Sequence, residues 1–420
     1  METKAIRLYG ENDLRLDTFE LPEIKDDEIL VKIIADSVCM STYKLSQQGE
    51  RHKRVPGNLS ENPVIVGHEM SGILVQVGEK WKDTYKEGSK FTVQPDMNID
   101  GVVKTAGYYY PTYGGDCTYC ILPAEVMENN YLVPFQGDSF FEASLAEPAA
   151  CIVSGYNFMY HTNKKNHIHT MGVKKDGYQV IFGACGPMGL ECIDYALQLE
   201  DGPSMVVAVD VTKDRLERAE KVLSPRANGK KLVFVNAAES EDIIKDLMDL
   251  TDQHGFDDAF VYAPVPVLIE QADKVMAEDG CLNFFAGPVD KSLSATINFY
   301  NVHYNGIHIV GSSGSTNDDL LDVLKLMEQG RIMPTVMVTH IGGLESAIHT
   351  TLNVPKIPGG KKLIYTHVDL PLTAIDDFRK LGEENELFKM LADSCDAHQG
   401  CWNAEAEKIL LDYYHVDTTK

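Results

Sequence analysis

Short runs of apolar and polar residues, separated by Gly, Pro and Asp, fill the first 150 positions of the chain. The runs EILVKIIA, PVIVGHEMSGILVQVG and SKFTVQP are rich in Val and Ile, which is typical of strands joined by turns. The pattern predicts a compact β-rich domain, either a barrel or a sandwich.

From about residue 178 the apolar pattern changes to strand followed by helix. YQVIFGACGPMGLECIDYALQLE contains an apolar strand, a glycine turn and a helix, and MVVAVDVTKDRLERAEKV and KLVFVNAAESEDIIKDLMDL repeat the strand and the helix. Alternating strands and helices are typical of a doubly wound parallel sheet, so an α/β fold class is predicted.

The pattern after the second domain predicts a return of the chain to the first. A helix over NDDLLDVLKLMEQG leads into mixed β segments that end at KKLIYT. We expect the β-rich domain over 1–155, the parallel-sheet domain over 156–305, the return over 306–370 and a helical C-terminal extension over 371–420.

The charge of the chain limits its partners. The 420 residues include 38 Lys and Arg against 63 Asp and Glu, which gives a formal charge of −25. Because phosphate backbones and anionic lipids are held by Lys and Arg, we expect no nucleic acid and no membrane partner. No run of 18 apolar residues occurs, and METKAIRLYG lacks the apolar segment of a signal peptide. Nine scattered cysteines without framework spacing favour reduced thiols and a cytoplasmic protein.

A glycine-rich turn follows the first strand of the predicted parallel sheet. GACGPMG, residues 183–189, lies between that strand and a helix, where free N–H groups and the helix dipole favour a pyrophosphate. The alternative is that these glycines only pack the helix against the strand. The predicted dinucleotide contacts in the turn are Gly183, Gly186, Pro187, Met188 and Gly189.

Asp210 ends the next predicted strand, 21 residues after Gly189. A carboxylate at this position accepts hydrogen bonds from both hydroxyls of an adenine ribose and repels a 2′-phosphate. NAD(H) is therefore expected in preference to NADP(H). Lys213 and Arg215 follow closely and offer an alternative site for that phosphate.

Four residues of the first domain suit a metal ion. They are Cys39 in SVCMSTYK, His68 and Glu69 in VGHEM, and Glu147 in LAEPAAC. A thiolate, an imidazole and carboxylates can hold a catalytic zinc, which needs few protein ligands. Each type has another explanation, since a lone Cys is usually a buried apolar group, a lone His is more often a satisfied polar residue, and a Glu before Pro is often a helix cap or a surface carboxylate.

The β-rich first domain is followed in order by the C-x-S element, G-H-E, E-P and the nucleotide fold, over residues 1–367. This arrangement resembles the zinc-dependent medium-chain dehydrogenase/reductase family, in its polyol-dehydrogenase branch. The resemblance implies a GroES-like catalytic domain, a Rossmann-type domain and one catalytic zinc. It further implies zinc ligands at Cys39, His68 and Glu69, with Glu147 binding directly or through water. Ser41 matches the proton-relay position, and the catalytic residues expected are Ser41, Lys44 and Glu69.

The chain departs from the family pattern in two places. Thr42 stands where Asp is common, and Lys44 stands where a relay histidine is common, so the proton route beyond Ser41 is open. Many relatives hold a structural zinc with four close cysteines, whereas this region offers Cys117 and Cys120. Read as a strand, residues three apart point to opposite faces, so no structural zinc is expected.

The resemblance implies reduction of a ketone by hydride from NAD(P)H, with a phosphorylated ketose as the expected substrate. A basic loop, GERHKRVPGN, lies between two of the expected metal ligands, and Arg51, Lys53 and Arg54 are the predicted phosphate contacts. An ordinary solvated loop is the alternative, and the pair Lys361 and Lys362 is expected to flank a strand.

Two other functions stay open at this point. One is a dehydrogenase of unphosphorylated polyols or other secondary alcohols, and the other is a dinucleotide-binding protein without catalysis. The expected partners are a small phosphorylated sugar and further copies of the chain, as a dimer or a tetramer, through an edge strand such as GIHIVG.

Overall fold

The computed structural model describes residues 1–99 and 101–419. The strands within them are β1 (Glu2–Gly10), β2 (Asp13–Glu20), β3 (Ile29–Ser37), β4 (Val64–Ile65), β5 (Ser71–Val77), β6 (Lys90–Val93), β7 (Asp96–Ile99), β8 (Val102–Thr105), β9 (Tyr119–Leu122), β10 (Leu132–Pro134), β11 (Tyr160–Asn163), β12 (Ile168–Met171), β13 (Tyr178–Phe182), β14 (Met205–Asp210), β15 (Lys231–Asn236), β16 (Phe256–Val261), β17 (Met276–Phe284), β18 (His308–Gly311), β19 (Val338–Gly343), β20 (Lys361–Tyr365) and β21 (Thr373–Ala374). The α-helices are α1 (Met40–Gln48), α2 (Ala124–Glu128), α3 (Phe140–Asn157), α4 (Pro187–Gln198), α5 (Lys213–Leu223), α6 (Ile243–Leu250), α7 (Pro266–Val275), α8 (Asn317–Glu328), α9 (Ala347–Asn353), α10 (Phe378–Leu381), α11 (Glu386–Ala397) and α12 (Ala404–Tyr413).

The chain divides into two compact units. The first contains residues 1–148, 320–324 and the chain from 338 onward, and the second contains 149–319 and 325–337. The C-terminal extension is helical, as predicted, and belongs to the first unit. The expected domain border at 305/306 differs from this division because β18 pairs with β17 in the sheet of the second unit.

A large mixed sheet forms the framework of the first unit. Its strand order is β10-β6-β5-β3-β20-β19-β21, and β9 also pairs with β3. All nine residues of β3 are buried, as expected for the nearly continuous apolar run ILVKIIADS at the centre of a sheet. Lys32 interrupts the apolar run, and its ammonium donates to the backbone carbonyl of Asp417 at 2.7 Å.

The register of β3 against β5 brings two loops together. Ala35 of β3 pairs with Ser71 of β5, and the two strands run antiparallel. The segment that follows β3 and the segment that precedes β5 therefore meet at one end of the sheet. The first segment carries Cys39, and the second carries His68 and Glu69.

The second unit contains the predicted doubly wound sheet. Its six strands follow the order β15-β14-β13-β16-β17-β18, and each neighbouring pair is parallel. Its apolar core includes Val180, Val207, Ala259 and Leu282 from the four central strands. The hairpin of β11 and β12 was not predicted, because the polar stretch HTNKKNHIHT has no apolar face of its own.

Candidate active site

Cys39, His68 and Glu69 form a cluster at the end of the first unit's sheet. One ligand atom from each of the three side chains lies within 4.8 Å of the other two. Cys39 is the residue before α1, and His68 and Glu69 belong to the loop before β5. Three of the four residues predicted as metal ligands are thus brought together by one strand pairing.

The α1 residues Ser41 and Thr42 contact this cluster. The Ser41 hydroxyl donates to Cys39 Sγ at 2.9 Å and lies 3.2 Å from His68 Nε2. The Thr42 hydroxyl lies 3.4 Å from His68 Nδ1 on the other side of the ring. Thr42, one of the departures from the family pattern, therefore helps to fix the orientation of the imidazole.

Glu69 is held by a buried lysine that the sequence did not reveal. The ammonium of Lys361 contacts both Glu69 carboxylate oxygens, and the Ser37 hydroxyl donates to one of them. Burial lowers the pKa of Lys361, but the charges of Glu69 and Cys39 outweigh it and raise that pKa. Lys361 is the first residue of a fully buried strand, β20, instead of a flanking surface residue.

The second lysine of the pair has a different role. The ammonium of Lys362 donates to backbone carbonyls of Ile357, Pro358 and Gly360 at 3.2, 3.2 and 2.6 Å. In the sequence, a lysine at the start of an apolar strand was the feature that could have predicted a buried cation. The strand pattern alone does not say which of the two lysines meets a carboxylate.

Glu147, the fourth predicted ligand, lies in α3 and acts on the cluster electrostatically. Burial raises the pKa of its carboxyl to about 8, with Glu69 and Cys39 contributing in the same direction and His68 opposing them. Its carboxylate is not part of the group within 4.8 Å that Cys39, His68 and Glu69 form. Glu147 is therefore adjacent to the cluster but is not one of the three side chains whose ligand atoms lie within 4.8 Å of one another.

Tyr108 is a second residue that the sequence analysis missed. Its ring centroid lies 5.6 Å from that of His68, and its hydroxyl is hydrogen-bonded to Ser41. Burial, followed by the nearby Cys39, raises the pKa of Tyr108 above its usual range. The aromatic stretch AGYYYPTY was the signal, but a run of tyrosines does not say which one turns toward the cluster.

Of the three predicted phosphate contacts, Arg54 lies against Tyr108. Its guanidinium carbon lies 5.8 Å from the centroid of the Tyr108 ring, and its Nη1 donates to Asp96 at 2.7 Å. Arg51 is exposed and pairs with Glu11 at 2.6 Å, and Lys53 is exposed.

Lys44, the remaining predicted catalytic residue, is half-buried in α1. Burial lowers its pKa, and the nearby Cys39 opposes that change. Lys44 is therefore within electrostatic range of the cluster, as its position in α1 suggested.

Cys117 and Cys120 lie together in the core. Both thiols are buried in the same apolar cluster, and they are hydrogen-bonded to each other. The expectation that they point to opposite faces of one strand is wrong, because Cys117 precedes β9, which begins at Tyr119. The absence of a structural zinc stays a prediction.

The glycine turn of the second unit has the local geometry that its sequence predicts. Gly183 has a φ of 72°, which favours glycine, and α4 begins at Pro187. A Cβ at Gly189 would lie 2.5 Å from the Ala184 carbonyl oxygen, so only glycine permits this close approach. Gly186 precedes α4, and Pro187 and Met188 form its half-buried first turn.

Asp210 lies at the end of β14, as predicted, and its carboxylate binds the glycine turn. One oxygen accepts from the Cys185 amide at 2.9 Å, and the other accepts from the Val211 amide at 2.8 Å. Lys213 is exposed and Arg215 is half-buried at the start of α5. The structure thus brings all the predicted dinucleotide contacts to one turn and one strand end.

Among residues 1–99 and 101–419, no helix has both the length and the apolar character needed to cross a membrane.

Known protein families match segments in both units of the chain. The alcohol dehydrogenase GroES-like domain matches residues 25–131, and the zinc-binding dehydrogenase family matches residues 187–329. A mannitol-1-phosphate 5-dehydrogenase of Aliivibrio fischeri is 47% identical over 418 residues, which cover 99% of each chain. An L-sorbose 1-phosphate reductase of Klebsiella pneumoniae is 40% identical over 410 residues, 97% of each chain.

Among solved structures, 2R,3R-butanediol dehydrogenase from Bacillus subtilis has the same fold. The TM-score is 0.71 at 23% identity, and the match covers 87% of this chain and 99% of that one. These similarities confirm the GroES-like and Rossmann-type fold expected from the sequence.

Proposed function

This chain belongs to the zinc-dependent medium-chain dehydrogenase/reductase family, and we propose that it interconverts a phosphorylated ketose and a polyol phosphate. The two relatives described above are named for phosphorylated substrates. The observation that carries the proposal is the position of Arg54 over Tyr108, whose ring lies against His68. A guanidinium on the aromatic ring that lies beside His68 suits the phosphate of a small sugar.

The donor set of the cluster fits a zinc ion. Cys39, His68 and Glu69 supply a thiol, an imidazole and a carboxylate within 4.8 Å of one another, and Glu147 adds a second carboxylate beside them. Burial raises the pKa of Cys39, and Glu69 reinforces it, so a thiolate here requires a compensating cation. Zinc held there would supply a Lewis acid for a carbonyl oxygen.

The residues around the cluster suit proton transfer and charge control. Ser41 contacts Cys39, His68 and Tyr108, so its hydroxyl is the group that we propose passes a proton to and from the substrate oxygen. Lys361 compensates the charge of Glu69 and leaves less negative charge at the centre. Lys44 is the next candidate on the proton route, because it lies in the same helix as Ser41 and near Cys39.

The second unit suits a nicotinamide dinucleotide, which supplies or accepts the hydride. We propose NAD(H) as the preferred form, since the carboxylate of Asp210 ends β14 where an adenine ribose binds in this fold. The exposed Lys213 beside it is the alternative contact, for the 2′-phosphate of NADP(H).

We further propose a cytoplasmic enzyme that forms a dimer or a tetramer. Each of the nine cysteines is a free thiol, which fits a reducing compartment. β18 is an edge strand of the six-stranded sheet and has an exposed Ile309, so it offers unpaired backbone groups to a second copy.

We propose L-sorbose 1-phosphate and D-glucitol 6-phosphate as the substrate pair. The 47% identity to a mannitol-1-phosphate 5-dehydrogenase favours a second pair, D-fructose 6-phosphate and mannitol 1-phosphate. The two ketoses differ in geometry, since the phosphate is one carbon from the carbonyl in the first and four carbons away in the second.

The test is NADH and NADPH oxidation by the purified enzyme with L-sorbose 1-phosphate, D-fructose 6-phosphate and unphosphorylated L-sorbose. We expect one of the phosphorylated ketoses to have a kcat/KM at least about 100-fold above that of L-sorbose, because a charge-assisted phosphate contact contributes about 3 kcal/mol. Equal kcat/KM for L-sorbose would favour an enzyme for unphosphorylated polyols. Cofactor binding without turnover of any alcohol or ketone would favour a non-catalytic protein.

A further inference from the structure

A carboxylate from the C-terminal extension caps the helix that carries Glu147. Glu407 lies in α12 and is buried, and its two oxygens accept from the backbone amides of Phe140 and Phe141 at 2.6 and 2.8 Å. These amides belong to the first turn of α3, where N–H groups have no partner within the helix. The cap thus comes from a residue 267 positions later in the chain.

The residue that would normally cap α3 is used elsewhere. Ser139 precedes the helix and is a preferred residue type for this position. Its hydroxyl donates to the carboxylate of Glu142 at 2.6 Å instead of accepting from the helix amides. The first two backbone amides of α3 therefore depend on Glu407 for a hydrogen-bond acceptor.

The same carboxylate is tied to the strand that carries Lys361. The Tyr365 hydroxyl donates to Glu407 at 2.9 Å, and the indole N–H of the fully buried Trp402 donates to that hydroxyl at 2.7 Å. Tyr365 is the last residue of β20, and Lys361 is the first. Glu407 thus joins α3, β20 and the extension in one hydrogen-bonded group.

Both elements contribute residues to the surroundings of the candidate metal centre. From α3, Ser144 donates its hydroxyl to the Glu69 carbonyl, and Glu147 lies one turn further along the helix. From β20, Lys361 binds the Glu69 carboxylate. A displacement of the first turn of α3 would therefore change the positions of Ser144 and Glu147 together.

We propose that Glu407 is a positioning residue, which fixes Glu147 and Ser144 against the Cys39, His68 and Glu69 cluster through the first turn of α3. This inference rests on the proposed function in one respect, namely that the cluster holds a metal ion. The C-terminal extension accordingly acts on the centre through α3.

The test uses Co²⁺ in place of zinc, because its visible absorption reports the ligand geometry. Glu407→Gln replaces one acceptor oxygen by an N–H₂ group, so one of the two bonds to the helix amides is lost at nearly constant volume, and an N–H then faces a backbone N–H. We expect Co²⁺ to bind about 10-fold more weakly, as is typical when residues that support metal ligands are changed, and the absorption bands to shift. Amide hydrogen exchange over 140–148 should become faster, and kcat should fall more than KM rises.

Two controls separate positioning from general stability. Glu405→Gln makes the same change on an exposed residue of α12, and it should leave Co²⁺ affinity and spectrum as in the wild type. Leu391→Ala removes a buried side chain of α11 that makes none of the Glu407 hydrogen bonds, and it should lower Tm without shifting the Co²⁺ bands. If Glu407→Gln fails to fold, Tyr365→Phe removes one bond to Glu407 and should shift the bands in the same direction.

The outcomes distinguish this inference from the proposed function. A Glu407→Gln protein with wild-type Co²⁺ affinity and spectrum would overturn the inference alone. The inference would also be overturned if Leu391→Ala lowered Tm by the same amount as Glu407→Gln and weakened Co²⁺ binding to the same extent. A wild-type protein that binds no Co²⁺ would overturn both proposals.

Discussion

Lys361 and Glu69 form a buried ion pair, in which the lysine ammonium contacts both oxygens of the carboxylate. Their side chains are 5% and 1% exposed, and they lie 292 positions apart in the sequence. Cys39 and Glu147 lie near the pair, and their negative charges also raise the pKa of Lys361. The Lys361 ammonium is therefore a permanent cation among acidic side chains, and it compensates the negative charge of Glu69.

Removal of this cation should strongly destabilise the metal-free protein. Lys361→Met leaves Glu69 buried without its partner, which we expect to lower the free energy of unfolding by about 3–5 kcal/mol. Denaturant titration after chelation measures it. The double variant Lys361→Met with Glu69→Gln should recover part of the loss, since no charge is left unpaired. A single variant as stable as the wild type would contradict the assignment of this pair.

Loss of the Ser41 hydroxyl should slow turnover without loss of the metal. Ser41→Ala is expected to reduce kcat by about 100-fold or more, because a positioned proton-transfer group contributes that much. Steady-state kinetics, with zinc content and NADH binding measured on the same preparation, test this. Ser41→Thr keeps a hydroxyl and should retain more activity. An unchanged kcat in Ser41→Ala would assign the proton transfer to another group.

Arg54 should govern the binding of a phosphorylated substrate. Arg54→Met is expected to raise KM for the phosphorylated ketose by about 10- to 100-fold, since a charge-assisted hydrogen bond is lost, and to leave unphosphorylated L-sorbose unaffected. Arg51→Met removes an exposed arginine of the same loop, which pairs with Glu11, and is the matched control. Equal effects of Arg54→Met on both kinds of substrate would mean that Arg54 supports the fold instead.

His367 should make the first unit sensitive to acid. Burial, followed by the charge of Lys32, lowers the pKa of His367 from 6.5 to about 4. As the pH falls from 6.5 toward 4, the unfolded chain binds this proton before the folded chain does, so folding stability is present above pH 6.5 and is lost in this window. The loss is at most about 3 kcal/mol.

Denaturant titrations between pH 7 and 4 should therefore show a smaller acid-induced loss for His367→Gln than for the wild type. The exposed His303→Gln is the control and should follow the wild type. Because His340 also has a pKa lowered to about 4 by burial and by Lys362, part of the loss should remain in His367→Gln. Identical slopes for wild type and His367→Gln would show that the imidazole is not responsible.

The sequence predicted the elements that local pattern controls. The fully buried β3 reads as an apolar run, and Gly183 and Gly189 occupy positions that require a positive φ or a close backbone approach. The comparisons confirm the family resemblance, and Cys39 and His68 were already candidate metal ligands by residue type. These features depend on a few neighbouring residues, and so they can be read from the chain alone.

The residues that were missed depend on contacts across long stretches of sequence. Lys361 meets Glu69 only because β20 pairs with β3, and Glu407 reaches Phe140 only because the extension packs into the first unit. A lysine before an apolar strand or a glutamate in a helix has no local mark of such a partner. The error at Cys117 has a related cause, since a strand was read two residues too early.

The central claim is that the cluster at Cys39 holds a catalytic zinc, and metal removal with restoration tests it most directly. Wild-type enzyme and Cys39→Ser would be stripped by a chelator, then assayed for NADH-linked reduction of a phosphorylated ketose with and without added Zn²⁺. We predict that the stripped wild type is inactive and recovers with about one Zn²⁺ per chain, whereas Cys39→Ser still binds NADH but does not recover. Full activity in the stripped wild type, or recovery in Cys39→Ser, would contradict the account.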